Sequence, residues 1–329
     1  MAARAADSRR SEATDVKQNA RTLSGKLVVL LGGDGFVGRH VAQELLARGA
    51  RLRVVSRHAE RGYRLKPLAN LGRIQFVSAD VTRADPALLV AGADAVVNLV
   101  GAFAGDLDAL HVRAPAGLAA AARAAGLSAF VQVSANGADA HSGVDYARTK
   151  AEGEAAVLAA FPGATVLRPS VMFGPDDAFV QMFADLIATL PVLPVFAPAA
   201  RLQPVFVDDV ADAIANAVAS PGTLGGKTYE VVGPEVLTMQ QLNERIAAAQ
   251  CRQRLFVPLP EIASSVIAAL PLTPISSDQL ALLRAGNVST GLPGLKALGV
   301  TARPLSLFLD RWMVRFRKHG RFGDRKPAN

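Results

Sequence analysis

Three side chains near the middle of the sequence have the types and spacing that proton transfer at a carbonyl or alcohol requires. Ser134 ends an apolar run, and Tyr146 and Lys150 follow it, four residues apart from each other. Residues at this interval share one face of a helix, so we expect the Lys150 ammonium to lower the pKa of the Tyr146 phenol from its usual value of about 10. The phenol would then serve as a general acid or base, while the Ser134 hydroxyl polarises the same oxygen.

A strand, a glycine turn and a helix near the amino-terminal end predict a dinucleotide site. The apolar run Leu27 to Leu31 is followed by Gly32, Gly35 and Gly38, and then by an amphipathic helix that continues to Arg48. The first glycine would make the tight turn, the second would let the backbone approach a pyrophosphate, and the third would let the helix pack on the strand.

The first turn of that helix would face the phosphates. Phe36 and Val37 would supply backbone N–H groups at the positive end of the helix dipole. Arg39 would add positive charge there; the ordinary alternative is an exposed helix arginine.

The end of the second predicted strand favours NADP(H) over NAD(H). An acidic residue at this point would accept a hydrogen bond from the ribose 2′-hydroxyl, whereas a basic residue accommodates a 2′-phosphate. The strand Arg51 to Ser56 is followed by Arg57, with no carboxylate at its end. A guanidinium can donate to a phosphate in a fork. The alternative is that Arg57 simply faces solvent.

Two further strand ends supply candidate cofactor contacts. Asp80 and Val81 follow the third strand, where a short polar side chain could meet the adenine edge. Asn98 and Gly101 follow the fourth, and the glycine would let the backbone lie near the dinucleotide. The carboxyl ends of parallel strands meet at one edge of a sheet, which strengthens the prediction that these positions contact the same cofactor as the glycine turn.

The alternation of apolar strands with helices from Leu27 to Ser170 is typical of a parallel sheet. We predict an α/β fold, a doubly wound parallel Rossmann sheet with a smaller, mostly helical carboxyl-terminal lobe. Strands are expected at Leu27 to Leu31, Arg51 to Ser56, Ile74 to Ser78, Ala95 to Leu99, Ala129 to Ser134, Thr165 to Arg168, Gln203 to Val207 and Lys227 to Val232. The main helices are expected at Gly38 to Arg48, Ala84 to Val90, Ala109 to Ala125, Tyr146 to Ala160, Ala178 to Thr189, Asp209 to Ala219, Thr238 to Ala249, Pro260 to Ala269, Ser277 to Arg284 and Leu305 to Lys318.

Four regions follow from this pattern. They are a mobile basic extension at 1–26, an NAD(P)-binding Rossmann domain at 27–170 plus 203–232, a small substrate or partner lobe at 171–202 plus 233–319, and a basic tail at 320–329.

The charge is concentrated at the two ends of the chain. The net charge is +8, of which residues 1–26 carry +3 and residues 311–329 carry +6. A domain that reads nucleic acid would more commonly carry its charge across a folded face, so no nucleic-acid partner is expected. Basic ends indicate an anionic membrane, acidic protein partners or simple solubility. The single Cys251 forbids an internal disulfide. We expect neither a signal peptide nor a transmembrane helix.

The remaining polar candidates have simpler interpretations. His111, His141 and His319 lack the spacing of metal ligands and are expected to be surface or loop histidines, so no metal site is predicted. Asp208 and Asp209 are expected to cap the helix that starts there.

The residues above, taken together, resemble the extended, atypical short-chain dehydrogenase/reductase superfamily. Within it, the chain most resembles the Rossmann-fold accessory subunits of respiratory complex I (NADH:ubiquinone oxidoreductase) and their bacterial relatives. The stretches that carry the resemblance are Gly32 to Arg39, Asp80-Val81, Asn98 to Gly101, Ser134, Tyr146 to Glu154, Phe161 to Ala164, Leu167 to Pro175, Gln203 to Ala211 and Pro293 to Val300.

The resemblance implies a tightly held NADPH and a stabilising role in a membrane-associated quinone-reducing assembly. Complex I subunits would be the partners, on the cytoplasmic or matrix side of the energy-transducing membrane. It also implies that Gly32, Gly35, Gly38, Arg39 and Arg57 bind cofactor. Tyr146, Lys150 and Pro169 are further expected cofactor-binding residues. Asp34 departs from the family pattern, in which Ser, Thr or Gly is usual at this position. An acid beside the pyrophosphate loop would lower cofactor affinity by repulsion.

Three functions remain open at this stage. The first is an accessory or assembly subunit, with the basic helix Leu305 to Arg321 on an anionic membrane or partner, or else packed within its own lobe. The second is an active NADPH-dependent oxidoreductase, epimerase or isomerase that uses Ser134, Tyr146 and Lys150. The third is a redox-sensing regulator that binds NADP(H) without turnover.

Overall fold

The structure of the chain, a computed structural model, describes residues 22–260, 277–318 and 320. The predicted helix Pro260 to Ala269, apart from its first residue, lies outside the described residues, as do His319 and most of the two basic ends.

Seven strands form the central parallel sheet, in the order β11-β6-β5-β4-β1-β2-β3. They are β1 (Leu27–Leu31), β2 (Arg51–Ser56), β3 (Ile74–Ser78), β4 (Ala95–Asn98), β5 (Ala129–Val133), β6 (Thr165–Pro169) and β11 (Lys227–Val231). The remaining strands form three pairs: β7 (Met172–Phe173) with β10 (Val205–Phe206), β9 (Arg201–Leu202) with β12 (Leu237–Thr238), and β8 (Val192–Val195) with β13 (Leu255–Pro258). The predicted α/β class and the doubly wound sheet are confirmed.

Helices connect the strands. They are α1 (Phe36–Ala47), α2 (Pro86–Val90), α3 (Ala114–Ala124), α4 (Asp145–Ala160), α5 (Phe179–Thr189), α6 (Val207–Ala219), α7 (Pro221–Leu224), α8 (Met239–Ala249), α9 (Ser277–Ala285) and α10 (Ser306–Trp312), with 3-10 turns at Ala59–Leu68 and Met313–Phe316 and a π-helical turn at Ala109–Arg113. No helix among the described residues is both long enough and apolar enough to cross a bilayer.

The order of the sheet places β1 between β4 and β2, so the direction of winding reverses between β1 and β4. In an open α/β sheet, ligands bind beyond the carboxyl ends of the strands at such a switch point. Every residue of β1 and β5 is buried. Burial on both faces explains why β1 is a continuous apolar run rather than an alternating one, and why β5 is apolar except at Gln132.

The described chain divides into two compact units. Unit 1 comprises residues 22–134, 152–167 and 211–228, and unit 2 comprises residues 135–151, 168–210, 229–260, 277–318 and 320. In unit 1, Phe130, Phe161 and Val157 belong to one buried cluster beneath the sheet. The four-region division made from the sequence stays a prediction.

An aromatic cluster and a buried ion pair hold unit 2 together. Phe206 stacks on Phe308 with ring centres 4.2 Å apart, and Trp312 and Phe173 complete the cluster. The Arg303 guanidinium lies over the Phe206 ring. Two of the apolar residues of the predicted basic helix are therefore packed inside this unit, while Leu307 is 63% exposed.

The role expected for Asp209 is wrong. Helix α6 begins two residues earlier, at Val207, and the buried Asp209 carboxylate accepts hydrogen bonds from the Arg303 backbone N–H at 2.7 Å and from Arg303 Nε at 2.6 Å. A carboxylate with 1% exposure requires such a charged partner, so the ion pair takes precedence over a helix cap.

Candidate functional site

The glycine loop of unit 1 connects β1 to α1 at the switch point. Gly32 has φ = +75°, a left-handed conformation that favours glycine. Its backbone N–H donates to Val55 O at 2.9 Å, and Gly35 N donates back to Gly32 O at 3.2 Å. No side-chain hydrogen bond caps α1, whose N-cap residue is Gly35. The loop therefore presents its backbone at the start of the helix.

Gly35 and Gly38 have different reasons to lack a side chain. A Cβ on Gly38 would lie 2.4 Å from Gly32 O and 2.5 Å from the Gly33 Cα, which are backbone atoms that cannot move away. A Cβ on Gly35 would come no closer than 3.4 Å to Gly32 O, and Gly35 is exposed. Helix packing thus requires a glycine at position 38, whereas nothing within the described chain requires one at position 35.

The loops after β2 and β3 carry Arg57 and Asp80, whose opposite charges attract each other. Arg57 is exposed, and its carbonyl oxygen accepts a hydrogen bond from Ser78 Oγ at 3.1 Å. The Asp80 carboxylate accepts from the Thr82 backbone N–H and hydroxyl. These hydrogen bonds, followed by the charges of Arg83 and Arg57, lower the pKa of Asp80. Asp80 is therefore ionised at neutral pH, and it closes its own turn.

The loop after β4 contains the other two candidates. Gly101 is exposed, but Asn98 is 1% exposed and its amide is turned into the protein. Asn98 Nδ2 donates to Gln132 Oε1 at 2.9 Å, and its Oδ1 accepts from Val100 N at 3.1 Å. The Asn98 side chain thus supports the loop rather than pointing out of it.

The expectation that His111 is a surface or loop histidine is wrong. His111 lies in the π-helical turn at Ala109–Arg113 and is 2% exposed. Its Nε2 accepts a hydrogen bond from Ala102 N at 3.2 Å. The sequence contained no signal for this contact, because the partner is a backbone group. His141 is exposed, as predicted.

Ser134 directly follows β5 in unit 1. Its backbone N–H donates to Leu167 O at 2.8 Å. Its side chain is buried, and Oγ has no hydrogen-bond partner among the described residues. Because buried hydroxyls are normally paired, the Ser134 hydroxyl is a candidate for binding a ligand.

Tyr146 and Lys150 lie on α4 in unit 2. The buried Lys150 places Nζ 5.8 Å from the centre of the Tyr146 ring. Burial raises the pKa of Tyr146 to about 12, so the expected lowering of this pKa is wrong. The loss of water around the phenolate outweighs the nearby ammonium. In the same unit, Pro169 ends β6 and its carbonyl oxygen accepts from Asn136 N at 2.8 Å.

Metal ligands do not cluster in the part of the chain that the structure describes. Within residues 22–260, 277–318 and 320, no three His, Cys, Asp or Glu side chains are close enough to hold a metal ion.

The fold and the glycine loop define a class of protein. The chain belongs to the NAD dependent epimerase/dehydratase family, whose model matches residues 28–232, and thereby to the extended short-chain dehydrogenases/reductases.

Two named relatives differ in what their names describe. The NADH dehydrogenase (ubiquinone) 1 alpha subcomplex subunit 9, mitochondrial, of Rattus norvegicus is 31% identical over 307 residues, which cover 88% of this chain and 80% of the relative. A ceramide reductase of Caulobacter vibrioides is 32% identical over 190 residues, which cover 56% of this chain and 58% of the relative.

Solved structures share the fold at low identity. A dTDP-glucose 4,6-dehydratase of Streptomyces venezuelae, determined with NAD bound, superposes with a TM-score of 0.67 at 20% identity, covering 88% of this chain and 96% of that one. At this identity the similarity concerns the fold.

Gly35→Ala and Gly38→Ala form a matched pair, because each adds one methyl group to the same loop. We expect Gly38→Ala to lower the free energy of unfolding by about 2–4 kcal/mol, since its methyl meets backbone on two sides. Gly35→Ala should leave the melting temperature within about 1 °C. Gly35→Ala should nevertheless weaken binding of a nicotinamide dinucleotide about tenfold, because the added methyl group would occupy space that a bound pyrophosphate needs.

Thermal unfolding and titration calorimetry of the two variants check this expectation. Unchanged dinucleotide affinity in Gly35→Ala, or equal destabilisation by both substitutions, would contradict the assigned division of roles.

Proposed function

We propose that the chain is an NADP(H)-binding accessory or assembly subunit of a respiratory NADH:quinone oxidoreductase, in which the cofactor is mainly structural. The observation that carries the cofactor part is the glycine loop at the switch point between β1 and β4, with Gly38 packed on Gly32 and Gly35 left open. The partner part rests on the similarity to the mitochondrial subunit 9 relatives.

The loop fits a pyrophosphate in two respects. The start of α1 has no side-chain cap, so its backbone N–H groups would be available to donate to an anion. The space beside Gly35 is open, so a phosphate group could lie there, and a side chain at this position would displace it. When bound, the dinucleotide would supply a nicotinamide able to exchange a hydride. The proposed cofactor-binding residues of unit 1 are Gly32, Gly35, Phe36, Val37, Gly38, Arg39, Arg57, Asp80, Val81 and Gly101, with Asn98 acting through its loop. Tyr146, Lys150 and Pro169 are the separate cofactor-binding candidates of unit 2.

The preference for NADP(H) rests on Arg57. It is exposed after β2, and no carboxylate occupies the end of that strand. The nearest candidate acid, Asp80, already accepts two hydrogen bonds from Thr82. A ribose 2′-phosphate would therefore meet a guanidinium free to donate in a fork.

A peripheral position at a membrane or acidic partner is supported by unit 2. An open cavity of about 440 Å³ is lined by Pro175, Arg311, Trp312, Val314, Arg315 and Gly320. Arginine beside tryptophan suits the boundary between anionic headgroups and acyl chains. We propose that the chain associates peripherally with the energy-transducing membrane, on its cytoplasmic or matrix side.

Catalysis is the second candidate function. Its specific support is the buried Ser134 Oγ of unit 1, which has no hydrogen-bond partner among the described residues, and the presence of Lys150 beside Tyr146 in unit 2. With its pKa raised to about 12, the Tyr146 phenol keeps its proton at neutral pH and suits a general acid rather than a base. The ceramide reductase relative makes a reductase a concrete alternative. A regulator that senses the redox state of NADP(H) would need no turnover.

Arg57→Ala tests the cofactor preference. We expect affinity for NADPH to fall about 10- to 100-fold, because a charge-assisted hydrogen bond to the 2′-phosphate is lost. Affinity for NADH should change less than about threefold. Arg123→Ala is the matched control, since it removes an exposed arginine near the carboxyl end of α3. A parallel loss of NADPH and NADH affinity would refute the role of Arg57 in discrimination.

Purification of the tagged full chain from mildly solubilised host membranes tests the partner assignment. We expect NADH:quinone oxidoreductase subunits to co-purify, and Tyr146→Phe to co-purify equally, because an accessory role does not use the hydroxyl. Recovery of the chain alone, together with NADPH oxidation that Tyr146→Phe abolishes in a substrate screen, would instead establish the enzyme.

A further inference from the structure

We propose that Asn98 and His111 are positioning residues for the dinucleotide site. Each holds one backbone N–H group of the loop after β4, at Val100 and at Ala102, so that Gly101 lies between two anchored residues. The proposal rests on the cofactor binding proposed above, and it assigns a role to His111 that its sequence context did not suggest.

The Asn98 anchor is set by the neighbouring strand. Asn98 is in register with Gln132 of β5, and both side chains are buried. Because Gln132 Oε1 receives Asn98 Nδ2, the Asn98 Oδ1 faces the Val100 N–H. Gln132 Nε2 in turn donates to Val133 O at 3.4 Å. The amide is thus oriented from both ends.

The His111 anchor is set by the π-helical turn. Nε2 can accept from Ala102 only when that nitrogen carries no proton. The His111 carbonyl packs against Gly153 of α4, where an added Cβ would lie 2.0 Å from the His111 oxygen. π-helical turns are uncommon and occur frequently at functional sites. The π-helical turn thus connects α4 to the loop after β4. Gly153 contacts the His111 backbone, and the His111 ring accepts the hydrogen bond from Ala102.

The anchored loop lies directly against the glycine loop. A Cβ on Gly32 would be 3.5 Å from the Leu99 carbonyl carbon and 3.6 Å from Val100 N. Leu99 N also donates to Leu31 O at 3.1 Å. Displacement of the loop after β4 would therefore change the wall beside Gly32, where the pyrophosphate is proposed to bind.

The test compares His111→Leu, which removes the acceptor, with His111→Gln, whose amide oxygen can still accept. Amide exchange at Ala102 is measured by NMR in the free full-length protein, and NADPH affinity by calorimetry. We expect His111→Leu to accelerate exchange at Ala102 and to weaken NADPH binding about 3- to 10-fold, while His111→Gln stays close to the wild type. Asn98→Ala should do the same at Val100.

Thr165→Val is the control for general destabilisation. Thr165 is buried in the same unit, and its hydroxyl donates to Leu224 O, away from the loop. It should change neither Ala102 exchange nor NADPH affinity. Equal impairment by His111→Leu and His111→Gln, or no effect of either, would overturn the proposal. A wild-type protein that binds no NADPH would overturn the cofactor assignment, whereas Ala102 exchange would still decide whether the anchor exists.

Discussion

The contact between Gly38 and the backbone of Gly32 and Gly33 is the constraint on which the proposed site depends. With no Cβ at position 38, the first turn of α1 packs directly on the backbone of the turn that follows β1. The buried β1 strand fixes the other side of this contact, because all five of its residues are enclosed between neighbouring strands and the helices. A single added methyl group would separate the helix from the strand and remove the cradle.

A second layer of unit 1 controls the shape of the same region. Leu99 N donates to Leu31 O of the sheet, and beyond it the buried side chains of Asn98 and His111 bind the backbone of the loop after β4. Such an arrangement favours rigidity over adaptability, since each anchor is a fully enclosed polar group that tolerates no unpaired state. A rigid wall is what a permanently held cofactor needs, whether or not turnover follows. The catalytic alternative is supported by the Tyr146 phenol and by the Ser134 hydroxyl, which has no hydrogen-bond partner within the described part of the chain.

Local features could be predicted from the sequence, and long-range ones could not. The glycine spacing and the apolar runs specify a strand, turn and helix within a dozen neighbouring residues, and alternation of strands with helices specifies a parallel sheet. The Asp209 ion pair joins residues 94 positions apart, which no local pattern encodes. His111 binds a backbone group through a π-helical turn that has no sequence signature. Burial raises the pKa of Tyr146, and burial is a property of the folded chain. The i to i+4 spacing in the sequence indicated only that the Lys150 ammonium lies near the phenol.

The identity of any nucleotide released when the purified full-length protein is denatured tests the central claim most directly. We expect chromatography and mass spectrometry of the supernatant to show NADPH or NADP⁺ in stoichiometric amount, because the glycine loop and Arg57 are proposed to select a dinucleotide with a 2′-phosphate. Release of NAD(H), or of no nucleotide at all from a protein that also fails to bind added NADPH, would contradict the account.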